Sequence, residues 1–127
     1  HPQALDQHDL LLYVYANNPN ALHFTRGAEA QTLTVQGLLE SNDGQVLRAA
    51  ALDGLGILVQ PCYIVYDDIV AGRLVPVLND WDLPRLQINI AFASRKHLSA
   101  KVRSFIDFMV DEFEQNAYER KWTSHMV

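Results

Sequence analysis

Residues 37–61, GLLESNDGQVLRAAALDGLGILVQP, constrain the fold of this chain more than any other stretch. They predict a loop, a capped helix, a tight turn and a buried strand, in that order. Asn42 is the predicted N-cap, with Gln45 three residues later as its capping-box partner. Gly54 supplies the left-handed residue that ends a helix. Residues 55–59 are mostly Leu, Ile and Val, which suits a parallel strand covered on both faces. The stretch is therefore predicted to be the helix-then-strand half of a βαβ unit.

The apolar residues of this helix recur on one face, which is predicted to be buried. Spaced i, i+1, i+4 and i+5, they are Val46, Leu47, Ala50 and Ala51. The amino-terminal end of the helix would direct backbone N–H groups without a helical partner toward residues 40–42. Two interpretations of this end stay open: it binds a polar ligand, or its residues only cap the helix.

Short apolar or alternating segments on both sides of this helix predict further strands. They are residues 10–15, 21–26, 32–36, 73–78 and 86–92. Pro76 predicts an edge position for the fourth strand, because proline has no N–H to donate to a neighbour. Residues 63–71 are a predicted short helix ended by Gly72, with Val65, Ile69 and Val70 facing inward. The alternation of strands and helices predicts an α/β fold with a parallel or mixed sheet.

The last helix carries the clearest periodic signal in the chain. Ser99 is its predicted cap, and its apolar residues follow the spacing i, i+3, i+4, i+7, i+8, i+11. They are Val102, Phe105, Ile106, Met109, Val110 and Phe113. Full burial of such side chains contributes about 1.5–3 kcal/mol each, a total on the order of 10 kcal/mol, which is comparable to the net stability of a domain. We therefore expect this stripe to be covered, either by self-association that exchanges the terminal strand and helix or by packing on the chain's own sheet.

Composition disfavours several classes of protein. The net charge of −5 argues against direct binding of nucleic acid, which needs a basic face. The single Cys62 cannot form an internal disulfide. No apolar run approaches the roughly 18 residues of a membrane span. No Gly-rich phosphate loop, metal-ligand spacing or Ser/His/Asp phrase is present, so the sequence offers no residues for catalysis, a metal or a cofactor.

Residues 39–81 contain an ordered set of motifs. A helix is followed by GLGI, a strand ending in Pro61, a second helix, the phrase D-x-x-x-GRLV, and VL-x-x-W. The residues in register are Asp68, Gly72, Arg73, Leu74, Val75, Val77, Leu78 and Trp81. The phrases HDLLLY and SRKHLSAKVRSFIDFMVDEF extend the match to residues 8–113. In this ordered set the chain resembles the effector-binding domain of LysR-type transcriptional regulators.

The resemblance implies an α/β fold of two lobes, like that of periplasmic binding proteins. Residues 9–78 would form the second lobe with a mixed sheet, 79–85 a crossover, 86–114 the terminal strand and helix of the first lobe, and 115–127 a polar tail. Trp122 is predicted to be isolated in that tail. The family's winged helix-turn-helix, linker helix and first half of the effector domain have no counterpart here. The chain therefore resembles the C-terminal part of the domain, and DNA would be bound only through the missing N-terminal region.

The resemblance also implies a cytoplasmic bacterial protein that is not an enzyme and senses a small-molecule effector. It would form a homo-oligomer, a dimer in the simplest case, with no cofactor and no membrane contact. Two other interpretations stay open: a fragment of a secreted solute-binding protein of the same shape, and a stand-alone dimerisation module. The phrase VAGRLVPVLNDW favours the regulator.

Five residues are predicted to bind the effector: Glu40, Ser41, Asn42, Pro61 and Cys62. The resemblance implies that the first three line the cleft between the lobes. The other two follow a buried strand, where open α/β sheets place ligands. A carboxylate at Glu40 disfavours a simple anion and fits a cationic or hydroxylated effector better. Cys62 could instead be a small core residue.

The other charged residues have predicted structural roles. Asp67 and Asp68 are predicted to be surface charges, because adjacent helix positions point in different directions. Arg73 is predicted to bond the last carbonyls of the preceding helix or a local acid. The basic cluster at the start of the last helix is predicted to be a solvated loop or a contact with a partner. Its members are Arg95, Lys96, His97, Lys101 and Arg103.

Overall fold

The computed structural model describes residues 1–14, 20–92 and 98–123. They fall into two units, with the boundary after Arg85. After a 3-10 turn at Pro2–Gln7, the described part of the chain contains five strands and four helices. In chain order these are β1 (Leu10–Tyr13), β2 (Ala21–Arg26), β3 (Glu29–Thr34), β4 (Leu39–Ser41), α1 (Gly44–Leu52), β5 (Ile57–Leu58), α2 (Cys62–Val70), α3 (Ala100–Gln115) and α4 (Tyr118–Thr123). The assignment of the residues to lobes stays a prediction.

The first unit is built on a three-stranded parallel sheet with the strand order β4-β1-β5. Leu11 of the central strand is in register with Leu39 of β4 and with Leu58 of β5. The first three residues of β1 are all buried, because a central parallel strand is covered on both faces. The predicted α/β fold is confirmed, and of the predicted parallel or mixed sheet the parallel form is observed, with β2 and β3 pairing antiparallel in a separate hairpin.

Two apolar clusters cover the two faces of β1. On one face Leu11 packs against Leu47 and Ala51 of α1. On the other face Leu10 and Leu12 belong to a larger cluster. Its other buried members are Leu5, Leu22, Phe24, Val35 and Trp81. The core of this unit therefore lies on both sides of one four-residue strand.

The amino-terminal end of α1 differs from the sequence prediction. Asp43, not Asn42, is the N-cap, because its Oδ1 accepts the backbone N–H of Gln45 at 2.8 Å. The backbone N–H of Asp43 in turn donates to Oγ of Ser41 at 3.0 Å. A capping-box partner stands three residues after the N-cap. Gln45 is only two residues after Asp43, so it is not in that position. Asn and Asp are equally good caps, but a carboxylate also complements the positive end of the helix dipole.

The carboxyl ends of α1 and α2 form the same turn, as their glycines predict. Gly54 and Gly72 have φ angles of +78° and +70°. In α1 the N–H of Leu55 donates to the carbonyl of Ala50 at 3.0 Å. In α2 the N–H of Arg73 donates to the carbonyl of Asp68 at 2.8 Å. Both are Schellman turns, which set the residue after the glycine beside the residue five positions earlier.

Two predicted strands do not form. Residues 73–78 and 86–92 pair with no strand among the described residues. The prediction of strands there is wrong for this chain, because alternating apolar residues give a strand only where a neighbouring backbone completes the hydrogen bonds. Arg73 is held in the turn after α2, and Pro76 cannot donate. In residues 86–92 the alternating apolar side chains are exposed, with Leu86 at 72%.

The remaining strands are shifted or shortened relative to the predictions. β2 has its predicted bounds, whereas β3 begins three residues earlier than predicted. β5 is reduced to Ile57–Leu58 and its side chains are only partly buried. β4 has no sequence signal of its own, since three residues are too few to show an alternating pattern.

Two residues predicted to face inward do not. Val46 of α1 is 49% exposed and Val70 of α2 is 68% exposed. The buried stripe of each short helix is narrower than the apolar pattern, and its buried members are Leu47 and Ala51 in α1 and Val65 and Asp68 in α2. A pattern of apolar residues therefore predicts the helix better than it predicts the width of the covered face.

The second unit is dominated by α3. Ser99 caps this helix as predicted, with its Oγ accepting the N–H of Val102 at 3.3 Å. None of its residues is buried, and Phe105 is 57% exposed. Among the described residues of this unit nothing buries the apolar stripe, and the expectation that the stripe is covered stays a prediction. Of the predicted basic cluster, Arg95, Lys96 and His97 lie outside the described residues, and Lys101 and Arg103 are exposed.

The predicted polar tail contains α4, and Trp122 is not isolated. Its ring stacks on that of Tyr118 at a centroid distance of 4.7 Å. Phe113 of α3 meets both rings edge to face, at 5.3 Å from Tyr118 and 5.8 Å from Trp122. Helical spacing places residues 118 and 122 on one face of α4, which explains why they pack together.

Candidate functional site

The carboxyl ends of the three parallel strands meet at one edge of the sheet. β4 ends at Ser41, which is in register with Tyr13 at the end of β1. The carbonyl of Ser41 accepts the N–H of Val14 at 3.1 Å. On the other side of β1, β5 leads through Gln60 to Pro61, the N-cap of α2. The sheet therefore brings Ser41 and Asn42 to the same edge as Pro61 and Cys62, although about twenty residues separate the two pairs.

The amino-terminal end of α1 lies at this edge as well. Gly44 begins the helix, and a Cβ there would lie 2.9 Å from Cδ1 of Ile64 and 3.3 Å from Oε1 of Gln60. A side chain at position 44 would displace one of these groups, so the glycine permits a close approach of α1 to the loop before α2. Asn42 is exposed and does not cap the helix, so its side chain is available to a ligand.

Glu40 is the predicted site residue whose side chain is turned away from the others. A Cβ on Gly37 would lie 2.8 Å from Cγ and 3.3 Å from Oε1 of Glu40. The carboxylate is thus folded back beside the segment that precedes β4. Side chains alternate along a strand, so those of Glu40 and Ser41 leave opposite faces of the sheet.

Cys62 is half-buried as the first residue of α2. Burial raises the pKa of its thiol. A thiol with a raised pKa is protonated at neutral pH and is a weak nucleophile. These properties support the packing role that was the alternative for this cysteine.

An ion cluster around one buried carboxylate ties α1 to the end of α2. The Asp68 side chain is fully buried, and its Oδ1 accepts from Nη2 of Arg48 at 2.8 Å and from Nε of Arg73 at 2.8 Å. Nε of Arg48 also donates to Oδ2. The prediction of Asp68 as a surface charge is wrong, whereas the prediction that Arg73 bonds a local acid is confirmed.

The Schellman turn after α2 explains this cluster. It sets Arg73 beside Asp68, a pair of positions that often holds an apolar contact. Arg48 completes the cluster from α1, which packs against α2. The hydrogen bond from Arg48, followed by that from Arg73, lowers the pKa of the Asp68 carboxyl despite its desolvation. The spacing of aspartate, glycine and arginine in the D-x-x-x-G-R phrase was the sequence signal for the pair, but nothing local pointed to Arg48.

Within the described ranges, no group of three or more His, Cys, Asp or Glu residues could hold a metal ion. Among the same residues, no helix is long and apolar enough to cross a membrane.

Comparison with known proteins identifies the family. The sequence profile of the LysR substrate binding domain matches residues 1–114. The regulator PtxR of Pseudomonas aeruginosa is 32% identical over 111 residues, which are 84% of this chain and 36% of that protein. The regulator DmlR of Escherichia coli is 33% identical over 84 residues, 66% of this chain and 27% of that protein. Both are described as HTH-type transcriptional regulators.

Solved structures agree on the fold. The regulatory domain of AphB from Vibrio vulnificus has a TM-score of 0.66 at 27% identity, covering 87% of this chain and 55% of that one. Full-length AphB from Vibrio cholerae has a TM-score of 0.69 at 27% identity, covering 88% of this chain and 38% of that one. The chain thus spans about a third of the curated relatives and about half of the solved regulatory domain. The predicted fold of the periplasmic-binding-protein type is confirmed, and the chain belongs to the LysR substrate-binding domain family.

Proposed function

We propose that this chain is the effector-sensing part of a cytoplasmic bacterial LysR-type transcriptional regulator. The effector is a small molecule that binds at the carboxyl edge of the parallel sheet, in contact with Ser41, Asn42, Pro61 and Cys62. Glu40 belongs to the same loop, but it contributes through its backbone because its carboxylate faces Gly37.

One observation carries this proposal, namely the meeting of two separate loops at the edge where β4 and β5 end. Ligands of open α/β sheets bind outside the carboxyl ends of the strands. The start of α1 adds N–H donors at the same edge. A helix terminus contributes only about 0.3–1 kcal/mol to the binding of an anion, so direct contacts must supply most of the affinity.

Effector binding regulates transcription only if the effector binds one arrangement of the full protein more tightly than another. A shift between strongly populated states requires a large difference in affinity, about 10⁴-fold for a complete reversal. The complete regulator contacts DNA through a winged helix-turn-helix and not through this chain, whose net charge of −5 supports that division of labour.

The regulator is a homo-oligomer, a dimer in the simplest case. The support is the stripe of apolar side chains on α3, which the single chain leaves at least partly exposed. Light scattering on the chain tests this directly, because a strictly monomeric mass at tens of micromolar would contradict it.

The decisive experiment uses the complete gene product. A metabolite library is screened by thermal shift, since a ligand that binds only the folded state raises the Tm. Each hit is then added to a DNA mobility-shift assay. We expect at least one hit to change DNA binding. We expect Asn42→Ala to lower the affinity for that compound about threefold to tenfold, which corresponds to the loss of a single hydrogen bond.

The matched control is Asn89→Ala, an exposed asparagine in residues 86–92, which we expect to leave the affinity unchanged. Asn42→Ala does not uncap α1, because the cap is Asp43. If the two substitutions change the affinity of every hit equally, the proposed site is wrong. If no hit alters DNA binding, the proposal that the protein is an effector-controlled transcriptional regulator is wrong.

A further inference from the structure

The side-chain amide of Gln60 is unexplained by the packing around it. Its Nε2 is buried and has no hydrogen-bond partner among the residues that the structure describes. Gln60 lies between β5 and Pro61, at the carboxyl edge of the sheet. A buried amide nitrogen without an acceptor is unfavourable relative to one in water. An apolar residue would fill the same position without that loss, so packing alone does not account for a glutamine here.

The amide lies against the first residue of α1, since a Cβ on Gly44 would be 3.3 Å from Oε1 and 3.6 Å from Nε2 of Gln60. Asp43 accepts the N–H of Gln45, which leaves other first-turn N–H groups without an acceptor inside the helix. Nε2 is thus a donor beside the donor end of a helix. Nε2 itself therefore lacks an acceptor oxygen, and none of the described residues supplies one.

The nearby carboxylates do not supply that oxygen. The Asp43 side chain is engaged with the backbone of Gln45. The Glu40 carboxylate is folded beside Gly37. The carboxylate at Glu40 therefore no longer argues against an anionic ligand at this edge.

We propose that Gln60 is a specificity-determining residue of the effector site, and that its amide selects a carboxylate-bearing effector. Nε2 donates to one carboxylate oxygen, and the first turn of α1 donates to the other. Nε2 has no hydrogen bond to a described residue that this contact would have to break. This inference rests on the proposed function, because it names the ligand class of the same edge.

The test measures stability and ligand binding on the same variants of the full 127-residue chain. The probes are succinate and benzoate, with succinamide and benzamide as their uncharged counterparts. Binding is followed by ¹H–¹⁵N NMR titration, in which the Gln60 side-chain NH₂ signal is assigned by its loss in Gln60→Leu. Gln60→Glu keeps the shape of the side chain and replaces the donor with an acceptor. Gln36→Glu, at an exposed position, makes the same charge change away from the edge.

We expect at least one carboxylate to shift the Gln60 NH₂ signal together with the backbone signals of Gly44 and Gln45, and its amide counterpart to bind more weakly. Gln60→Leu and Gln60→Glu lower the affinity for that carboxylate about 10-fold to 100-fold, which corresponds to the loss of one charge-assisted hydrogen bond. The Tm of Gln60→Leu stays equal or rises, because an unpaired buried donor has been removed. Gln36→Glu changes neither quantity.

Three results would overturn the inference. A fall in the Tm of both Gln60 variants identifies Gln60 as a packing residue. If a carboxylate binds both variants with unchanged affinity, Gln60 does not contact the ligand, while the proposed effector site at this edge still stands. If neither carboxylate shifts the Gln60 or α1 signals, the carboxylate class is wrong, and the proposed function is decided separately by the metabolite screen and the DNA assay.

Discussion

The first and third helices of this protein have the same local signals and opposite surroundings. α1 begins with the Asp43 cap and α3 with the Ser99 cap, and both have a stripe of apolar residues. Leu47 of α1 is fully buried against Leu11 of the central strand. No residue of α3 is buried. The comparison shows that a cap and a 3.6-residue period are enough to specify a helix. Burial also requires a second surface, which α1 finds on the central strand of its own unit.

Truncation of the buried residue should give the largest effect. Leu47→Ala is expected to lower the free energy of unfolding of the first unit by about 3 kcal/mol, because it leaves a cavity between α1 and β1. Val46→Ala, one residue earlier and half exposed, should change it by less than about 0.5 kcal/mol. Urea unfolding followed by circular dichroism measures both. Similar losses for the two variants would mean that α1 is not seated on the sheet through Leu47.

The ion cluster gives the next largest effect. Asp68→Asn is expected to lower the Tm by roughly 5–10 °C, because it leaves Arg48 and Arg73 beside a neutral group that cannot balance their charges. Asp67→Asn, at the exposed neighbouring position, is the matched control and should leave the Tm almost unchanged. A Tm for Asp68→Asn within a degree of the unmodified protein would show that the cluster adds nothing to stability.

The same cluster predicts a dependence of stability on pH. Because Arg48 and Arg73 lower the pKa of Asp68 in the folded state, its contribution is fully present above the unfolded-state pKa of about 3.9. That contribution is lost as the pH falls through the lowered folded-state value. As the pH falls below about 4, the Tm of the unmodified protein should therefore fall more steeply than that of Asp68→Asn. Parallel curves over that range would contradict the assigned cause of the shift.

A smaller effect distinguishes the two adjacent cap candidates. Asp43→Ala should cost about 1 kcal/mol, the usual cost of removing an N-cap. Asn42→Ala should leave the free energy of unfolding unchanged, since its side chain makes no cap hydrogen bond. Chemical denaturation measures the pair. If Asn42→Ala lowers the free energy of unfolding more than Asp43→Ala does, then Asn42 is the N-cap, as the sequence alone predicted.

The smallest effect on folding is expected on α3. Phe105→Ala should change the stability of the monomer by less than about 0.5 kcal/mol, because the ring is largely exposed. The same substitution should reduce the oligomeric mass measured by light scattering if the stripe is the surface on which copies associate. The control is Asp111→Ala, an exposed residue on the polar side of the helix, which should leave the mass unchanged. A mass unaffected by either substitution would remove the α3 stripe from the oligomer interface.

Much of the first unit is predictable because its signals are local. The ends of α1 and α2 follow from Gly54 and Gly72, since few residues other than glycine adopt a positive φ easily. The position of Pro61 at the carboxyl edge of the sheet was predictable, because it follows an apolar strand, whereas ligand binding at that edge stays a prediction. The side-chain direction of Glu40 was not predictable, because it depends on the fold of the segment around Gly37. The orphaned amide of Gln60 had no sequence signal, because it depends on how closely α1 approaches the loop before α2.

The sequence by itself determined the family, the α/β class, the central strand and the positions of the first three helices. These features depend on residues within a few positions of one another. Only the tertiary structure decided that Asp68 is buried between two arginines, that residues 86–92 form no strand, and that Trp122 packs on α3. Each of these outcomes depends on a partner elsewhere in the fold, such as Arg48, which lies twenty residues before Asp68. Hydrogen bonds and burial at that separation are fixed by how the elements pack, and no local pattern encodes them.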